Sequence, residues 1–138
     1  MIKLGIIGTN WISKMFVEAA IQTGSYTLTT VYSRTEEKGN AFLADFDTDT
    51  DNVAVVTTLS DLYTDIDVVY IASPNALHFE QAKVAIASDV HVIVEKPSFS
   101  NPTEFAIIEE LLTRHENVRV FEAARHVHQS NFKLMQQA

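Results

Sequence analysis

The sequence predicts an α/β fold, a doubly wound parallel sheet with helices on both faces. Six short, near-continuously apolar runs recur along its 138 residues, the pattern of strands covered on both sides. Between the runs the apolar period changes to helical spacing, and glycine, asparagine and hydroxyl residues stand at the junctions where turns and helix caps need them. Strands that alternate with helices call for right-handed crossovers, and a parallel sheet follows.

The elements follow in order. Ile2 to Ile7 is the first run and ends at Gly8. From Trp11 to Thr23, the residues Ile12, Met15, Phe16 and Ala19 fall at helical spacing, with Gly24 placed to end the helix. Tyr26 to Tyr32, rich in Thr and Val, reads as a second strand. Thr35-Glu36-Glu37 then opens a helix to about Phe46, with a capping hydroxyl and carboxylates near the positive end of its dipole. The stretch "DFDTDTDN" has no glycine for a calcium-binding turn and reads as a solvated acidic loop. Val53 to Val56 is a third strand and Asp67 to Ala72 a fourth. Asn75 is placed to cap a helix whose apolar face carries Phe79, Ala82 and Ile86. Val90 to Val94 is a fifth strand. Asn101-Pro102-Thr103-Glu104 starts a helix with a side-chain cap, a proline at its first position and a carboxylate three residues on. That helix carries Ile108, Leu111 and Leu112, and Val118 to Phe121 is a sixth strand.

Composition narrows the chemistry. The length suits one compact domain, and 46% hydrophobic with 20% charged residues matches a soluble globular chain. A formal charge of −8 opposes bulk attraction to nucleic acid or anionic membrane. The absence of cysteine excludes disulfides, zinc thiolates, iron-sulfur clusters and a thiol nucleophile, and fits a reducing compartment. No apolar run approaches the roughly 20 residues of a membrane span. "MIKLGIIGTNW" has one Lys and reaches a glycine too early for a signal peptide, so a cytoplasmic protein is expected.

In a doubly wound sheet ligands bind beyond the carboxyl ends of the strands, which makes the strand ends the candidate sites. The first is "GIIGTNWIS". A dinucleotide fingerprint needs a glycine for the tight turn, a second for close approach of the pyrophosphate and a small third residue for helix packing. Gly8, Asn10 and Ser13 stand in those places, and Asn tolerates the left-handed conformation better than most residues. The backbone at Gly8, Thr9, Asn10, Trp11 and Ile12 would meet a pyrophosphate at the helix N-terminus. The competing reading is a plain strand-to-helix turn. With the fingerprint, the fold expectation becomes a Rossmann-like three-layer α/β/α domain.

The second strand end, "VYSRTEEK", presents Ser33 and Arg34 where NAD-preferring sites hold a carboxylate for the ribose hydroxyls. A hydroxyl beside a guanidinium suits a ribose phosphate, so NADP is favoured over NAD. Glu36 or Glu37 reaching the ribose would reverse that preference, and an exposed helix cap is the competing reading. The fourth end, "ASPNALHF", forms a rigid turn at Ser73, Pro74 and Asn75. His78 follows one helical turn in, on the side facing the cleft, where it lines the cofactor site at most and is no metal ligand.

The fifth end is "VEKPS", where Pro97 restrains the backbone of Lys96. Beside a nicotinamide, the Lys96 ammonium would hydrogen-bond the alcohol or carbonyl oxygen at which hydride leaves or arrives. Glu95 would hold the lysine or accept from the nicotinamide ribose. A surface salt bridge is the alternative.

Together "GIIGTNWIS", "SPNALH" and "VEKP" resemble the Gfo/Idh/MocA family of oxidoreductases. The resemblance implies an N-terminal NAD- or NADP-binding Rossmann domain, followed by an α/β domain that supplies oligomer contacts and much of the substrate pocket. It puts the family's catalytic lysine on Lys96, the glutamate near the nicotinamide ribose on Glu95, and the glycine-rich turn on Gly8 to Ser13. On this reading residues 1–123 form the cofactor domain, and 124–138 begin the connection to a second domain that would make the whole protein a homo-oligomer. His126 and His128 offer two ligands at most from one segment, which reads as structural or substrate-lining rather than a metal site. The implied activity is hydride transfer to or from a sugar, cyclitol or related polyol. The alternatives are a regulatory or sensor module that binds the dinucleotide without chemistry and, more weakly, a flavin-binding domain.

Overall fold

The computed structural model describes residues 1–123, so His126, His128 and the expected connection lie outside the described residues. The elements are β1 (Ile2–Ile7), α1 (Trp11–Gln22), β2 (Tyr26–Tyr32), α2 (Glu36–Ala44), β3 (Ala54–Val56), α3 (Leu59–Leu62), β4 (Val68–Ile71), a 3-10 turn (Asn75–Leu77), α4 (His78–Ala87), β5 (His91–Glu95), α5 (Pro102–Arg114) and β6 (Val120–Ala123). The six strands form one sheet in the order β3-β2-β1-β4-β5-β6, with every neighbouring pair parallel. Among the described residues no helix is long and apolar enough to cross a membrane.

Strand side chains alternate between two cores, as the period of two requires. Val92 and Val94 join Ile7, Ile71, Ile86 and Ile108 on the α4–α5 face. Leu4, Ile6, Val31 and Tyr70 join Val17 and Phe42 on the α1–α2 face. Each long helix that follows a strand starts on a local signal except α4. Asn10, Thr35 and Asn101 accept from the amides of Ser13, Lys38 and Glu104 respectively. Gly24, at φ 75°, closes α1 in the left-handed region.

Several expectations are corrected. Asn75 does not cap α4: it opens the 3-10 turn, and no side chain caps either element. In α1 the buried residues are Ser13, Val17 and Ala20; of the residues at helical spacing, Ile12 and Phe16 pack half-buried on the same core, while Met15 and Ala19 are exposed. All four border a groove beside β5 and β6. Helix α2 stops at Ala44, although Phe46 stays buried with its ring edge-on to Phe42 at 5.2 Å. Strand β6 begins at Val120 because the Val118 amide closes a turn onto the His115 carbonyl. Helix α3 was unforeseen, yet Thr58 caps it through the Asp61 amide, a threonine-x-x-aspartate signal.

Candidate functional site

Strands β1 and β4 are neighbours, but the chain leaves β1 toward α1 on one face and β4 toward α4 on the other. A crevice therefore opens above their carboxyl ends. Gly8 turns the chain into it at φ 106°, and a β-carbon there would stand 2.6 Å from the Ala72 carbonyl oxygen. Asn10 is extended (φ −128°, ψ 176°) rather than left-handed as expected. Its Oδ1 accepts from the Ser13 amide at 3.0 Å and its Nδ2 donates to the Ala72 carbonyl at 2.9 Å. A side chain thus fastens the first turn of α1 to the end of β4, which a glycine there would not do. With the Ser13 amide taken, the amides of Trp11 and Ile12 have no carbonyl one turn back and face outward for an anion. Ser13 is fully buried, and its hydroxyl lacks a hydrogen-bond partner, so the contact needs a small residue more than a polar one.

The resulting cleft has a volume of about 370 Å³ and is bordered by Gly8, Thr9, Asn10, Ser33, Arg34, Ser73 and Pro74. Ser33 is buried, with its amide bonded to the Val56 carbonyl at 3.0 Å, which fixes the end of β2. Arg34 is exposed at the rim, and Lys38, in the first turn of α2, also borders the cleft. Glu36 and Glu37 do not border it. Gln81 of α4 accepts from the Ser73 hydroxyl and completes the opposite wall.

The β5 end is built differently. Glu95 is buried, and its Oε1 accepts from the Tyr70 hydroxyl at 2.6 Å. The Tyr70 ring is stacked on Phe16, with centroids 3.9 Å apart. Glu95 Oε2 accepts from the Lys96 amide at 3.3 Å, so Glu95 meets Lys96 through its backbone rather than through its ammonium as expected. Lys96 is exposed, the Lys96–Pro97 peptide is cis, and the Ser98 amide donates to Glu122 Oε2 at 3.0 Å. His78 is wholly buried, with Nε2 2.8 Å from the Ser73 carbonyl oxygen and Nδ1 3.1 Å from that of Pro97. The expectation that it lines the cofactor site is corrected: it has no free surface and bridges two loops.

Residues 2–123 match the model of an oxidoreductase family with an NAD-binding Rossmann fold, GFO_IDH_MocA. The chain belongs to the Gfo/Idh/MocA family. Among its relatives, the uncharacterized oxidoreductase YgjR of Escherichia coli K12 is 43% identical over 141 residues, covering 100% of this chain and 41% of that protein. The scyllo-inositol 2-dehydrogenase (NADP(+)) IolU of Bacillus subtilis 168 is 39% identical over 140 residues, covering 96% and 40%. The chain therefore spans about two-fifths of the length of these curated relatives. In fold it is similar to the scyllo-inositol dehydrogenase of Lactobacillus casei solved with NAD(H) and scyllo-inositol. The TM-score is 0.85 at 20% identity, covering 99% of this chain and 40% of that one. The WlbA dehydrogenase of Bordetella pertussis, solved with NADH and UDP-GlcNAcA, gives a TM-score of 0.86 at 24% identity, covering 99% and 39%.

As a Gfo/Idh/MocA oxidoreductase domain, the chain is an NAD(P)-binding Rossmann unit, and the cleft fits such a group. Gly8 leaves room where a β-carbon would strike backbone, and free amides stand at the α1 N-terminus. The residues singled out in the sequence separate into groups. Gly8, Thr9, Asn10, Ser33, Arg34, Ser73 and Pro74 share the cleft, whereas Ile12 and Glu95 share a mostly apolar groove of about 580 Å³ on the α1 side. Trp11, 65% exposed, borders a separate depression with Thr9 and Asn10. Asn75 and Lys96 are exposed and border neither the cleft nor the groove. Lys38, Gln81 and Tyr70 were missed. Gln81 had a signal, since it stands one helical turn past His78, and Lys38 a weaker one, in the first turn of the helix that follows Arg34.

Proposed function

We propose that this chain is the cofactor-binding part of an oxidoreductase that prefers NADP and moves hydride to or from a carbinol carbon of a sugar, cyclitol or related polyol. The observation that carries the cofactor preference is the β2 end of the cleft. Arg34 and Lys38 both border it, while the carboxylates of Glu36 and Glu37 do not. Two cations beside the buried Ser33 suit a ribose phosphate and leave no carboxylate to favour bare ribose hydroxyls. The relative IolU, a scyllo-inositol 2-dehydrogenase (NADP(+)) at 39% identity, supports the same substrate class and cofactor.

When bound, the nicotinamide supplies or accepts the hydride. The chain's own residues do the rest. The amides of Trp11 and Ile12 offer their donors to the pyrophosphate, and Gly8 keeps the approach open. Glu95, held by Tyr70, would accept from a ribose hydroxyl. The Lys96 ammonium would give a proton to the substrate oxygen as a carbonyl is reduced, and the neutral amine so formed would take one from the alcohol as it is oxidised.

Fluorescence titration with NADPH and NADH tests the cofactor claim. Tighter binding of NADPH, by about 10-fold or more for one additional charge-assisted contact, is the expected outcome. Equal affinity or a preference for NADH overturns the NADP assignment. Turnover of the whole protein with a polyol panel separates an enzyme from a module that binds the dinucleotide without chemistry.

A further inference from the structure

One buried side chain touches two strand-end loops. The loop after β4 carries Ser73, which lines the cleft, and the loop after β5 carries Lys96 and Pro97. His78, at the first position of α4, sits between them with no exposed surface. Its Nε2 lies 2.8 Å from the Ser73 carbonyl oxygen and its Nδ1 3.1 Å from the Pro97 carbonyl oxygen. Core packing alone would be met by an apolar residue in this position, next to Ala82 and Ala85. The two nitrogens instead span from the cofactor wall to the residue that follows Lys96.

We propose that His78 is a positioning residue that couples the cofactor loop at Ser73 to the Lys96 loop, setting where the Lys96 ammonium stands relative to bound cofactor. The inference rests on the reading of Lys96 as the proton-handling group. Glu95 and Glu122 hold the backbone on either side, through the amides of Lys96 and Ser98, but neither reaches the cofactor wall. Through His78, a displacement of Ser73 is carried to Pro97.

Both partners are carbonyl oxygens, so both contacts are hydrogen bonds when each ring nitrogen carries a proton, and a singly protonated ring donates to one of them at a time. They are separable, because an asparagine amide reproduces the reach of Nδ1 and a glutamine amide that of Nε2. In the whole protein, His78→Asn keeps the Pro97 contact and releases Ser73. It is expected to hold kcat within about 3-fold while the cofactor Kd rises several-fold. His78→Gln does the reverse: Kd is kept, and kcat falls by about 10- to 100-fold, as for a proton-transfer group displaced by about an ångström. His78→Phe loses both. Ile86→Val, a buried change in the same helix, is the control that lowers the melting temperature without moving either constant. The crossed pattern is what a purely structural histidine would not produce. If the Asn and Gln variants alter kcat and Kd alike, or the Phe variant alters neither, the coupling is wrong. Lys96→Met is read separately: full turnover in that variant defeats the Lys96 assignment itself, whatever the His78 variants do.

Discussion

The backbone oxygen of Ala72 lies 2.6 Å from the point a β-carbon on Gly8 would occupy. The same oxygen accepts from Asn10 Nδ2, so it cannot move aside without breaking the tie between β4 and α1. Gly8→Ala therefore adds backbone strain of about 1–3 kcal/mol at φ 106° to a contact that only backbone movement relieves. A lower urea midpoint and loss of dinucleotide binding are expected together. A variant that binds cofactor normally would contradict the assignment of this turn. Asn10→Ala removes both the cap and the tie to Ala72 and should cost about 1–2 kcal/mol in the same melt.

Arg34→Ala should weaken NADPH by about 10- to 100-fold, the worth of a charge-assisted hydrogen bond, and NADH by less than about 3-fold. Lys38→Ala should act in the same direction and more weakly, since its exposed ammonium is a hydrated point charge on a flexible stem. Paired titrations with both dinucleotides check this. Equal weakening of the two would place Arg34 away from the ribose phosphate.

Gly39 is where α2 closes on β3, and a β-carbon there would collide with Cγ1 of Val55. Gly39→Ala gains about 1 kcal/mol of helix propensity, and overpacking against Val55 costs about 1–3 kcal/mol. A net loss of stability is expected. Val55→Ala in the same chain should recover most of it, because the clash is with a side chain and not with backbone. A double-mutant cycle by denaturant melting measures the coupling, and additive losses would show that the collision is relieved elsewhere.

Burial pushes the Tyr63 phenol well above its ordinary value, and its hydroxyl donates to the Gln81 carbonyl at 3.0 Å. The unfolded chain releases that proton near pH 10, while the folded chain retains it to higher pH. Its contribution to stability is therefore complete below about pH 10 and declines as pH rises beyond it. Lys3, raised by its hydrogen bond and charge interaction with Asp65, acts in the same alkaline window, but it is exposed and water screens the pair. Tyr63→Phe should cost about 1 kcal/mol at neutral pH and flatten the alkaline loss of stability. Melting temperatures between pH 8 and about 11 provide the comparison; an unchanged alkaline slope would assign it to other groups.

Gly8, Ser33 and Arg34 were legible because a parallel sheet brings successive strand ends to one edge, so short local patterns suffice to place them. Asn10 was legible as a residue and not as a conformation. Its decisive hydrogen bond is to Ala72, far away in the chain, and nothing near Asn10 announces it. His78 illustrates the same limit: helical position suggested an outward direction, while the acceptors at Ser73 and Pro97 draw the ring inward. Tyr70 carried no signal at all, since a tyrosine inside an apolar strand reads as core until its hydroxyl is seen on Glu95.

The sheet order has a thermodynamic consequence. Residues from β1 to β3 and from β4 to β6 form two consecutive three-strand halves, and the ladder joining them runs from Leu4 opposite Val68 to Ile7 opposite Ile71. The cleft straddles that ladder, with Gly8 on one half and Ser73 on the other. A molecule gripping both walls binds only while the seam is shut, so all of its free energy, RT ln(1 + [L]/Kd), opposes the parting of the halves. The domain's cooperativity is thereby set partly by its ligand, and occupancy of the cleft tightens the molecule at its longest-range pairing.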